Sequence, residues 1–152
     1  WQALVLAMVM QGTSEWSKLA KLSGRCAMMY WLLTLLIMIG LLVFDTLFTV
    51  EQQIWLHLPI YIVAVLFWFI VVTAWLIAGW KTDSPMLMAI VGWAVLIPTG
   101  LAMLDLRAVS PWLLLFVMCL VWVADSAAYF AGQKFGKAKL APSISPGKTW
   151  EG

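Results

Sequence analysis

The sequence predicts an all-α fold, a polytopic transmembrane helix bundle with a cytoplasmic glycine- and lysine-rich loop. Three observations predict it. Of 152 residues, 64% are hydrophobic and only 11% are charged. Soluble domains are about half apolar and about a quarter charged, so the apolar excess here has to face lipid. Several apolar runs reach the about 20 helical residues that cross a bilayer core. The lysines and arginines, finally, fall in alternate loops, the pattern that sets orientation in a membrane.

Trp1–Met10 is apolar but short, and predicts a partial span (residues 1–10). Its first residue is Trp rather than Met, and the other end stops inside a polar loop, so the chain reads as a piece of a longer protein. No basic n-region or small-residue cleavage site marks a signal peptide. Gln11–Arg25 is expected to be a loop, with Lys18, Lys21 and Arg25. Ala27–Phe44 (27–44) is the next span. Asp45–Gln53 carries no Lys or Arg. Ile54–Trp80 (54–80) is the longest run, and His57 near its entrance reads as a satisfied interfacial histidine. Lys81–Pro85 contributes Lys81. Met86–Leu104 (86–104) contains Pro98 and Gly100, which predict a kink. Asp105–Ser110 holds only Arg107. Pro111–Phe130 (111–130) is the last span, and residues 131–152 form the basic loop with Lys134, Lys137, Lys139 and Lys148. Alternate loops thus hold eight basic residues against one. The basic side is cytoplasmic, which places the protein in the cell membrane with its tail loop facing the cytoplasm. Lys18, Lys21, Arg25 and Lys81 are explained by this topology alone.

The remaining composition is consistent with that reading. Eleven Trp suit indole rings at headgroup level. A net charge of +2 gives no reason to expect a nucleic-acid partner. Cys26 and Cys119 lie at or inside apolar runs and are expected to be buried, inert thiols.

The chain closes on "SPGKTWEG", whose Gly-Lys-Thr resembles the tail of a P-loop. The full motif is G-x-x-x-x-G-K-[ST], between a strand and a helix. Its first glycine would fall on Pro142, and "GQKFGKA" puts Ala138 where Ser or Thr belongs. The P-loop is therefore rejected. The chemistry of the stretch remains. "GQKFGKAKLAPSISPGKTWEG" holds four lysines, two serines and a threonine among glycines. Glycines let backbone N–H groups approach an anion, and lysines act as point charges for phosphates. Composition favours a phosphate site over a plain basic linker.

Asp125 lies within the last apolar run. A carboxylate there is costly, and such residues face a protein interior or a wet cavity. Helical spacing puts Asp125, Ala128, Tyr129 and Gly132 on one face. The small residues leave room for an ion or a phosphate-bound Mg²⁺, which takes one or two carboxylates plus substrate oxygens. Tyr129 is readable either as an interfacial aromatic or as part of that site.

The stretch "WVADSAAYFAGQKFGKAKLAPSISPGKTWEG" resembles the middle of the phosphatidate cytidylyltransferase (CDP-diacylglycerol synthase) family. The shared features are Asp125, Ala128-Tyr129, Phe135-Gly136-Lys137, Leu140, Pro142 and Ser145 through Gly152. Upstream, "EWSKLAKLSG" is similar to the family's first cytoplasmic loop. The resemblance covers the N-terminal and middle portion of the family only. It implies a multi-pass membrane enzyme that transfers CMP from CTP to phosphatidic acid, giving CDP-diacylglycerol and pyrophosphate, in phospholipid biosynthesis. It also implies Mg²⁺, with a second metal ion as a further expectation. The family's C-terminal signature of metal-binding carboxylates is not in this chain, so residues 1–152 alone are expected to be inactive. On this reading Asp125 binds metal and, with Lys148, is catalytic. Ser145 and Thr149 hold CTP phosphates beside Lys148. Lys137 and Lys139 hold the triphosphate or the lipid phosphate, and Tyr129 contacts substrate. The expected partners are CTP, phosphatidic acid, membrane lipid and a second copy in a homodimer.

Two rival readings come from other classes. An ion-coupled membrane transporter would use Asp125 as a relay, but the cores of the other spans are nearly free of the polar residues it needs. A non-catalytic membrane subunit would use the basic tail only to dock a partner or anionic lipid.

Overall fold

A computed structural model describes residues 1–80, 82–142 and 145–152, with Pro146 described by its backbone alone. Lys81, read above as topological, lies outside the described residues. The helices are α1 (Gln2–Leu19), α2 (Gly24–Leu47), α3 (Val50–Leu66), α4 (Thr73–Ala78), α5 (Pro85–Val109) and α6 (Pro111–Phe135). A π-helical segment, Phe67–Val72, joins α3 to α4 without a break. The strands β1 (Lys139–Ala141) and β2 (Ser145–Thr149) follow α6. Among the described residues, Gly24–Leu47, Val50–Ala78, Pro85–Val109 and Pro111–Phe135 are long and apolar enough to cross a membrane. The polytopic all-α class is as the composition requires, with a small hairpin added.

The helices overrun the apolar runs, because polar flanks continue a helix beyond the lipid core. The clearest correction is at Gln11–Lys18, expected as a loop but helical within α1. Its hydroxyl residues bond back onto the helix instead of breaking it. Thr13 Oγ1 donates to the Val9 carbonyl at 2.8 Å, Ser14 Oγ to Met10 at 3.0 Å and Ser17 Oγ to Ser14 at 2.8 Å. This is the usual way such residues are tolerated mid-helix. The helix ends in a Schellman-type turn, with Lys21 at φ 55° and the Leu22 N–H bonded to the Ser17 carbonyl at 2.9 Å. A Lys in place of the usual Gly hides that stop signal. Two other caps are conventional. The Thr49 N–H donates to Gln52 Oε1 at 3.1 Å at the start of α3. Gly79 takes the left-handed C-cap of α4 at φ 61°.

The chain divides into two compact units, Trp1–Asp105 and Leu106–Gly152. In the first, Val5 and Val9 of α1, Met38 and Leu41 of α2, and Leu101 and Leu104 of α5 form the buried core. Close approach depends on small residues on α5, as is common between membrane helices. A side chain at Gly92 would collide with Trp16 and Tyr30, and one at Gly100 would meet Val9 Cγ2 at 2.6 Å. Two indole N–H groups nearby are paired, while the buried Tyr30 hydroxyl has no hydrogen-bond partner among the described residues. Trp16 Nε1 donates to the Met88 carbonyl at 2.7 Å, and Trp93 Nε1 donates to the buried Thr34 hydroxyl at 2.8 Å. The segment Val50–Ala78 buries only one side chain, His57. Its Leu, Ile, Val and Trp residues are largely exposed, as expected where lipid replaces a protein core.

Two further expectations change. Cys26 and Cys119 are exposed rather than buried, since in lipid a thiol on an apolar run needs no protein cover. His57, expected as a satisfied interfacial histidine, is only 6% exposed and leaves its Nε2 without a hydrogen bond among the described residues.

Candidate functional site

The second unit is built on α6. Ser110 starts the helix: its Oγ accepts from the Trp112 N–H at 3.2 Å, and Pro111 occupies the first helical position, where no N–H is needed. The helix then carries Asp125, Ala128, Tyr129 and Gly132 along one side and ends at Phe135. Gly136 turns out of the helix into an extended conformation, with its N–H bonded to the Gly132 carbonyl at 3.1 Å.

Beyond the turn the chain folds back. β1 and β2 pair antiparallel, with Lys139 opposite Thr149 and Ala141 opposite Ser145, and a bulge between. The returning strand and the residues after it lie against the glycine side of α6. A Cβ on Gly132 would meet Thr149 Oγ1 at 3.3 Å, and one on Gly136 would meet Thr149 Cγ2 and Oγ1 at 2.8 Å. A Cβ on Gly152 would meet the Ala128 carbonyl oxygen at 2.7 Å. The glycines are therefore the surface on which the tail seats.

Glu151 fastens this arrangement. Its carboxylate accepts from the Lys137 N–H at 3.2 Å and the Ala138 N–H at 3.4 Å, the first free amides after the helix. The Trp150 N–H adds a bond to the Ala138 carbonyl at 3.0 Å. Glu151's own backbone N–H, then that of Lys137, hold its carboxyl below the ordinary glutamate value. A lowered folded value means the contribution is present above the unfolded pKa and is lost as pH falls through the folded one. We expect Glu151→Gln to speed hydrogen exchange at the Lys137 and Ala138 amides at neutral pH. Acidification of the wild type should likewise lower the protection of these amides relative to their intrinsic rates, which themselves slow in acid. Protection unaltered by both would refute the clasp.

The fold-back encloses a cleft of about 640 Å³ whose lining includes Asp125, Tyr129, Gly132, Ser145, Lys148 and Thr149. Five of the seven residues singled out by sequence thus meet in one place. Asp125 and Lys148 are exposed to it, while Ser145 and Thr149 are half-buried. Thr149 is partly committed, since its Oγ1 accepts from the Gly152 N–H at 3.3 Å. The Tyr129 hydroxyl accepts from Gln133 Nε2 at 2.7 Å. Lys137 and Lys139 do not line the cleft. The sequence reading missed Gln133 and Glu151. The first falls one helical turn after Tyr129, and the second was read only as part of a motif.

The cleft joins a carboxylate, a lysine, hydroxyls and open backbone. It suits a phosphorylated ligand with a bound cation: the lysine offers positive charge, the hydroxyls donate, and one carboxylate meets what a phosphate-bound divalent metal asks of protein.

The fold and this cleft define a class: a polytopic helical membrane protein whose last described span carries a polar, anion-compatible pocket near its end. The chain belongs to the cytidylyltransferase family, whose profile matches residues 1–152. Among similar proteins, the phosphatidate cytidylyltransferase of Haemophilus influenzae is 46% identical over 83 residues, 49% of this chain and 29% of that protein. That of Pseudomonas aeruginosa is 51% identical over 63 residues, 40% of this chain and 23% of the relative. That of Rickettsia felis is 34% identical over 107 residues, 62% of this chain and 46% of the relative. The chain therefore spans less than half the length of these relatives. No solved structure matches it. Membership in the family points to a divalent metal.

Proposed function

We propose that this chain is the N-terminal and middle part of an enzyme that transfers CMP from CTP to phosphatidic acid, releasing pyrophosphate. The observation that carries the reading is the cleft on α6, where Asp125 shares one lining with Ser145, Lys148 and Thr149. The names of the similar proteins supply the substrates.

Both substrates are anions, so the protein's task is to neutralise charge and align the reacting groups, as phosphoryl-type transfers require. Lys148 provides a mobile positive charge for the triphosphate. Ser145 donates a hydroxyl beside it. Thr149 positions the strand, since its side chain rests on Gly132 and Gly136. Tyr129, steadied by Gln133, borders the substrate. Asp125 fits Mg²⁺, which needs few protein carboxylates when phosphate oxygens complete its shell; when bound, the ion would withdraw charge from the phosphates. Lys137 and Lys139 lie outside the cleft lining, which leaves them for the phosphate of the lipid or for anionic headgroups. The excess of basic residues in alternate loops supports a cytoplasmic position for this end of α6, at the cell membrane. There a nucleotide from the cytosol meets a phosphate anchored in lipid.

The test is CTP-dependent labelling of phosphatidate in membranes containing the full-length protein. Permuting the order of residues 145–149 keeps every charge. The enzyme reading expects labelling to collapse while membrane insertion persists. Labelling at wild-type level would favour a basic tail that only docks lipid.

A further inference from the structure

Three ionisable side chains from distant parts of the sequence meet inside the first unit, apart from any role given above. They are Asp45 near the end of α2, His57 in the second turn of α3, and Asp105 late in α5. One ligand atom from each lies within 4.8 Å of the others. His57 is 6% exposed, the only buried side chain of the segment Val50–Ala78.

The bonding is asymmetric. His57 Nδ1 is 3.0 Å from Asp105 Oδ2 in hydrogen-bonding geometry. The same oxygen accepts from the Tyr61 hydroxyl at 2.6 Å. An ionised Asp105 oxygen can only accept here, so a neutral His57 ring would carry its proton on Nδ1 and its lone pair on Nε2. His57 Nε2 faces Asp45 Oδ1 at 3.0 Å. Neither of these two buried atoms makes a hydrogen bond. A nitrogen lone pair and a carboxylate oxygen at that separation repel unless something positive lies between them. Asp45 is held in place, since its own carbonyl accepts from Gln53 Nε2 at 2.7 Å.

We propose that this cluster is a binding site for a divalent transition cation of the zinc type, held by His57 Nε2 and Asp45 and completed by water or an added ligand. Three arguments support it. The first is spacing. An ion bonded to N and O at about 2.1 Å separates them by about 3.0–3.4 Å at angles near 90–109°, and the observed 3.0 Å falls in that range. The second is the outer partner. A metal-binding histidine usually gives its other ring N–H to a carboxylate, which is the role Asp105 fills, with Tyr61 behind it. The third is charge. Two carboxylates with a neutral imidazole need two positive charges, and burial makes an uncompensated charge costly. The imidazole ligand favours zinc-like ions over magnesium.

The experiment is zinc binding by the full-length protein in detergent, stripped with chelator and then held in excess Mg²⁺ so that all-oxygen sites are filled. One zinc ion per chain is expected, with His57→Gln removing it and Asp45→Asn weakening it by at least about tenfold. Bound zinc that persists unchanged in His57→Gln overturns the site, as does the failure of the wild type to bind. Since either variant could misfold, the wild type carries its own readout. In ¹⁵N spectra the His57 Nε2 signal should move on zinc addition while Nδ1 stays protonated. Two protonated ring nitrogens, insensitive to zinc, would mean that a proton holds the two aspartates together and that the metal assignment is wrong. None of these readouts depends on transferase activity.

Discussion

Asp125→Asn in the full-length protein is expected to reduce CTP incorporation into lipid by at least about a hundredfold, the scale of losing one charge-stabilising group. The substitution keeps the size and most of the hydrogen bonding of the side chain while removing the charge. Asp125 is exposed to the cleft and forms no ion pair among the described residues, so no structural partner is orphaned by the change. Folding and insertion should therefore survive, which makes the rate a direct reading of the proposed cation-binding role. Lys148→Ala should cause a comparable loss. On the proposed roles, with Lys148 at the phosphates and Asp125 at the metal that binds them, the double variant should lose much less than the product of the two single losses. Near wild-type turnover in both single variants, with normal insertion, would remove these residues from the site.

Gly136→Ala is expected to produce a second large loss by a different route. The added methyl group would occupy the space of the Thr149 side chain and collide with the Gly132 carbonyl oxygen. The Gly132 contact must shift the end of α6, and the Thr149 contact pushes the returning strand away from it. Ser145 and Lys148 would then leave Asp125. We expect activity to fall at least about tenfold, with CTP affinity lost together with rate, because misplacement by about 1 Å can cost on the order of a hundredfold. A cross-link between cysteines introduced at Gln133 and Gly147, both lining the cleft, would report the fold-back directly. Cross-linking that forms equally well with and without the Gly136→Ala substitution would show that the glycine is not the seat.

How much of this was legible in the sequence depended on how local the signal was. Asp125, Tyr129 and Gly132 are one or two helical turns apart, so spacing alone placed them on one side of α6. The return of Ser145, Lys148 and Thr149 to that side was suggested by composition, and the glycines that permit it are in plain view. Lys137 and Lys139 were drawn into the same list by charge, yet a turn and a bulged strand direct them elsewhere; composition carries no direction. The histidine cluster was invisible for a simpler reason. His57 and Asp105 are 48 residues apart, on helices whose relative rotation no local pattern encodes. The π-helical segment at Phe67–Val72 was equally hidden, because a run of apolar residues reads the same in either helical register.

The tail that seats on the glycine side of α6 brings together residues that are neighbours along the chain. Loop closure over such a short stretch costs little entropy, and contacts of low sequence separation form early. The cleft can thus take shape once its own segment has been synthesised and inserted, since its described lining comes from that segment. In the order of translation the helices of Trp1–Asp105 come first, and the cleft then closes from its own segment alone.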